Sequence, residues 1–64
     1  MDLKKYRSDK NLTMRQVGEE AGISESYYSM IENGERRPSV AVAKRIAATL
    51  GVDWTKFFEE EKSA

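Results

Sequence analysis

The 64-residue chain contains no cysteine and no histidine. The first absence excludes a disulfide framework and a thiolate metal site; the second removes the commonest general base and the commonest metal ligand. The usual catalytic constellations are therefore missing, and neither an enzyme nor a cofactor is expected. Long hydrophobic runs are absent as well. The opening MDLKKYRSDK has no apolar run of signal-peptide length, and no segment approaches the roughly 20 apolar residues needed to span a bilayer. The expectation is a soluble, cytoplasmic protein with no membrane partner. Net charge is formally zero, which by itself argues mildly against a polyanionic partner such as nucleic acid. Its distribution matters more than its sum. Residues 1–45 hold nine Lys or Arg against seven acids, a balance of +2, whereas residues 46–64 hold two against four, a balance of −2. Glu59-Glu60-Glu61 accounts for most of the shift and is expected to turn away from such a partner.

What is present is a short chain of helical signals. Sixty-four residues make one domain, 1–64, and at this size a chain buries only roughly 60% of its unfolded surface, so the core is small. No second, effector-binding domain is expected. The stretch Thr13 to Gly34, TMRQVGEEAGISESYYSMIENG, reads as two short helices separated by a tight turn at Gly22. Val17 and Ala21 share one face of the first, and Tyr28 and Ile31 resume a stripe on the second. Thr13 can cap the first helix, with Gln16 completing a capping box, and Ser24 can cap the second, each cap contributing roughly 1 kcal/mol. Two starts, one stop and a short link make a helix-turn-helix.

Several residues then fall into register with one known pattern. They are Leu12-Thr13 opening the unit, Gly18 in its first helix, Gly22 at the turn, Ile23 after it, and Ile31-Glu32-Asn33-Gly34 closing the second helix. Pro38-Ser39-Val40, Ile46-Ala47 and Leu50-Gly51-Val52 continue it. Over nearly the whole chain the sequence resembles the phage repressor and Cro-like family of bacterial helix-turn-helix regulators, also called the xenobiotic-response-element family. The resemblance implies an all-α, compact five-helix repressor-like domain, with the motif at about residues 13–34.

Residues 2–10 read as a first helix, with Asp2 near its positive end and Asn11 as a left-handed stop. In the resembled family an Arg at the place of Arg7 reaches the Glu near the end of the recognition helix, here Glu32; a simple surface cation is the alternative. The first helix of the motif spans about Met14 to Ala21, where Gly18 permits close approach of the second. Met14 stands where the family often carries a Gln that bonds phosphate. That contact is lost here, and Thr13, Arg15 or backbone N–H groups at the helix start are left to meet phosphate.

The recognition helix, about Glu25 to Glu32, presents Glu25, Ser26, Ser29 and Met30 as base-contact candidates, with Tyr27 at the edge. None is an Arg, Lys, Gln or Asn able to make the bidentate contacts that dominate direct readout. The two serines can bond either kind of edge, Met30 can pack on a thymine methyl, and Glu25 can accept from cytosine N4. Glu25 also reads as a first-turn acid favoured by the helix dipole. Tyr28 lies on the buried stripe, where the family usually has a branched aliphatic residue. Tyr27 could place its hydroxyl on a phosphate, or both tyrosines could be core filler. Beyond the helix, Asn33, Arg36 and Arg37 are phosphate candidates, a solvated charge pair being the lesser alternative for the two arginines. Pro38, the single proline, forces Arg37 into an extended conformation.

Ser39 caps a helix from Val40 to Leu50, whose buried stripe is expected to be Val40, Ala43, Ile46, Ala47 and Leu50, with Lys44 and Arg45 solubilising. Asp53 caps a last helix from 54 to about 61, and Lys62 to Ala64 are expected to fray. Trp54, Phe57 and Phe58 exceed what so small a core needs, so at least one is expected to be exposed. The resemblance implies a twofold dimer contact there, setting two recognition helices about 34 Å apart; closure of one monomeric core is the alternative.

Two functions follow. The first is a sequence-specific regulator of double-stranded DNA, a repressor acting as a homodimer. The second is an antitoxin-like or accessory protein-interaction module with weak or no DNA binding, favoured by the acid on the recognition helix and by zero net charge. An enzyme ranks last, since two serines on a helix have no nearby base.

Overall fold

The computed structural model describes residues 2–59. Among them the chain forms five α-helices: α1 (Leu3–Asp9), α2 (Met14–Ala21), α3 (Glu25–Glu32), α4 (Val40–Leu50) and α5 (Lys56–Glu59). The all-α class and the bounds of α2, α3 and α4 agree with those expected from the sequence.

Local chemistry sets these boundaries. Thr13 Oγ1 accepts from Gln16 N at 3.0 Å while Gln16 Oε1 accepts from Thr13 N at 2.8 Å, closing the capping box at the start of α2. Ser24 and Ser39 cap α3 and α4 through their side chains alone, accepting from Tyr27 N and Val42 N. Asp2 caps α1, and Asn11 stops it at φ 57°. Gly22, at φ 75°, takes the left-handed conformation that turns the chain from α2 into α3. Ile23 N donates back to Gly18 O at 2.9 Å and locks the turn.

The core is one cluster drawn from four helices: Leu3, Val17, Ala21, Tyr28, Ile31, Ile46 and Leu50. Leu12, Met14, Ile23, Val42, Val52 and Phe57 pack around it. Helix α2 is the centre of the frame, packed on α3 along one side and on α4 along another. Gly18 faces the carbonyls of Ile23 and Ser24, 3.0 and 3.3 Å from where a Cβ would stand. What it admits is thus the backbone of the turn and the cap of α3, and not the body of that helix.

Three further expectations need correction. Val40 is 50% exposed, because the first turn of α4 projects past the core and burial begins with Val42 and Ala43. The last helix starts at Lys56, two residues later than expected. Asp53 Oδ1 accepts from Thr55 N at 3.0 Å and Thr55 Oγ1 at 2.8 Å, which holds Trp54 and Thr55 in a turn ahead of it. Finally, Trp54, Phe57 and Phe58 are each half-buried, none fully exposed. Phe57 docks on the core, Trp54 meets Phe58 edge-on at 6.1 Å, and Lys44 Nζ lies 5.1 Å from the Trp54 ring centre. Lys44 is therefore packed as well as solvating. The expectations for Glu60, Glu61 and Lys62 to Ala64 lie outside the described residues.

Candidate nucleic-acid interface

Helix α3 divides its residues between two faces. Tyr28 and Ile31 are buried, so the inward face is used up by the core. Glu25 and Ser26 are exposed on the first turn, and Met30 is 36% exposed one turn on. Ser29 is half-buried, and its Oγ accepts from Asn33 Nδ2 at a long 3.4 Å. The outward face is thus polar apart from one thioether, and it carries a single formal charge, at Glu25. An α-helix with such a face can enter the major groove and touch base edges through hydroxyls and a methyl-sized contact.

The loop after α3 is folded back onto the helix. The amides of Glu35 and Arg36 both donate to Met30 O, at 2.8 and 3.2 Å. That places the Arg36 guanidinium over the half-buried Tyr27 ring, with Cζ 5.9 Å from its centre. Arg37 is exposed beside it, followed by Pro38, which is buried. At the start of α2, Thr13 and Arg15 are exposed. Arg15 Nε meets Glu19 Oε2 at 3.3 Å, an open i,i+4 pair of the kind worth little in water, so it can be exchanged for a phosphate. A groove of about 340 Å³ runs past Leu3, Ile31 and Phe57 to Arg36 and Arg37, so the loop cations and one of the three aromatics border the same depression.

The far end of α3 is held by Arg7. Its Nε donates to Glu32 Oε1 at 2.9 Å and its Nη2 to Oε2 at 3.1 Å, a two-pronged pair. Its Nη1 donates to Leu12 O at 3.0 Å. One guanidinium therefore ties α1, the entry to α2 and the end of α3 together. The side chains are 13% and 3% exposed. Burial works against the Glu32 carboxylate, but the Arg7 hydrogen bonds, with smaller help from Tyr28 and nearby cations, outweigh it and hold its pKa below the ordinary value. The Glu32 hydrogen bond raises that of Arg7. Tyr28 Oη is buried beside this pair and finds no hydrogen-bond partner among the described residues. Burial, reinforced by the Glu32 charge, pushes the phenol well above its usual range.

The contact of Arg36 with the Tyr27 ring, the burial of Pro38 and the Lys44 contact with Trp54 have no counterpart among the sequence expectations. Each joins residues through tertiary geometry, and no local spacing signals them. Among the described residues no group of acids could hold a metal ion, and no helix is long and apolar enough to cross a membrane.

Known proteins share this geometry. The helix-turn-helix family profile matches residues 3–57. An uncharacterised HTH-type transcriptional regulator of Bacillus subtilis, YqaF, is 53% identical over 58 residues, which cover 91% of this chain and 76% of that protein. The HTH-type transcriptional regulator SinR of the same organism is 32% identical over 60 residues, covering 92% of this chain but 54% of SinR. A solved SinR protein/SinI protein complex superposes with a TM-score of 0.78 at 29% identity, over 95% of this chain and 60% of that one. This chain thus spans little more than half the length of SinR. Because the matched span takes in every helix that builds or braces the interface, the chain belongs to the helix-turn-helix family of DNA-binding transcriptional regulators, of the repressor and Cro-like type.

Proposed function

We propose that the protein is a sequence-specific repressor that binds double-stranded DNA as a homodimer, placing α3 in the major groove. Glu25, Ser26, Ser29 and Met30 face the bases, while Thr13, Arg15, Asn33, Arg36 and Arg37 meet phosphates. The observation that carries this reading is the split of α3: its inner residues are sealed in the core and its outer face is polar and unencumbered. Affinity comes chiefly from the phosphate contacts, and sequence preference from the helix. Trp54, Phe57 and Phe58, at the junction of α4 and α5, are the dimer surface in this reading, and the domain works as one unit.

The test is anisotropy binding to a pool of native genomic fragments at low and moderate salt, against an unrelated competitor duplex. Retention of a few fragments, weakening as salt rises, is the expected result. Loss of all binding at moderate salt would sink the reading and turn attention to a protein partner.

A further inference from the structure

Resting on that reading, we propose that Tyr27 acts as a positioning residue for Arg36: its ring is the platform on which the loop guanidinium is held ready for a phosphate. Its hydroxyl is not the functional part.

Three observations converge on this. First, Tyr27 is itself held at both ends, since its backbone N–H is bonded to the Ser24 cap at 3.0 Å and its side chain packs against the core. Second, the Arg36 backbone is hooked to Met30 O at 3.2 Å. Met30 lies three residues after Tyr27 and so on the same side of α3. The Arg36 side chain therefore starts one helical turn from the ring and needs only to lie back along the helix to reach it. Third, it does so, with Cζ 5.9 Å from the ring centre, inside the range where a guanidinium is attracted to an aromatic face. The buried Pro38 closes the loop on the other side and limits Arg37 to extended geometry. An exposed arginine ordinarily loses much rotamer freedom when it clamps an anion. The contact with the ring removes part of that loss in advance, and the N–H groups of the planar fork are what meets the phosphate oxygens.

The full chain is tested with a fluorescent duplex of mixed sequence at low salt. Tyr27→Leu should weaken binding roughly two- to five-fold, the range of an exposed cation–π contact, and Tyr27→Phe should bind like the parent. Arg36→Ala should weaken binding, and adding Tyr27→Leu to it should cause no further loss. In the free protein the Arg36 δ-methylene protons should show an upfield ring-current shift that Tyr27→Phe keeps and Tyr27→Leu abolishes, with circular dichroism showing both variants folded. If Tyr27→Phe binds as poorly as Tyr27→Leu, or if the Tyr27→Leu and Arg36→Ala losses multiply, the platform is wrong while the phosphate role of Arg36 stands. A silent Arg36→Ala overturns that phosphate role, and the platform with it.

Discussion

At the residue scale the decisive side chain is Arg7. Its three hydrogen bonds reach two segments beyond its own helix, and its partner Glu32 is almost wholly out of water. A buried pair is dangerous to halve, because the remaining charge loses its compensation. Arg7→Ala and Glu32→Ala should each cost roughly 3 kcal/mol, a large share of the roughly 3–10 kcal/mol expected for a domain of this size. The double variant should lose clearly less than the sum, which denaturant unfolding of all four proteins measures. The same pair predicts an acid transition. Glu32 has a depressed pKa in the folded protein and an ordinary one, 4.5, when unfolded. Its contribution is therefore complete above about that pH and is lost as pH falls through the folded value. The parent should destabilise steadily in that acid range, and Glu32→Gln should start weaker but show a flatter dependence. Identical profiles would remove Glu32 from the account.

At the scale of elements, the turn between α2 and α3 sets where the outer face of α3 points. Gly18 is the tightest part of it, and two opposing effects meet there. Alanine would gain about 1 kcal/mol in helix propensity. Its Cβ, however, would stand 3.0 Å from one backbone carbonyl oxygen and 3.3 Å from another, and backbone atoms cannot swing aside as a side-chain tip can. Crowding of this kind typically costs about 1–3 kcal/mol, so Gly18→Ala should destabilise overall; a rise in melting temperature would contradict the packing described. The same element shows why parts of the fold are legible in the amino-acid order alone. Thr13, Gln16, Gly22 and Ser24 act on groups within a few residues of themselves, so their chemistry fixes the ends of α2 and α3 locally. Val40 has the right spacing for burial but no core beneath it, and Pro38 is buried though nothing in its neighbours marks it. Both depend on how α4 sits against the rest, which periodicity does not encode. The outward set on α3 is readable because its two buried partners are; the Arg36 platform is not, since it spans a loop.

Across the whole molecule, zero net charge makes the placement of cations more important than their number. If Arg36 and Arg37 each neutralise one phosphate, changing both to alanine should weaken binding to every duplex alike and lower the salt slope by about two. Met30→Ala should instead alter the preference between sites with little effect on the slope. A reversed pattern would mean that the loop reads bases and the helix only positions. The other end of the molecule has a property of a different kind. Trp54 is the sole tryptophan of the chain, in contact with the Phe58 ring and the ammonium of Lys44. Excited selectively, it makes the junction of α4 and α5 luminous while every other residue stays dark. Its emission colour follows the wetness of that junction, so a second copy seated over it would register as a blue shift, with no dye attached.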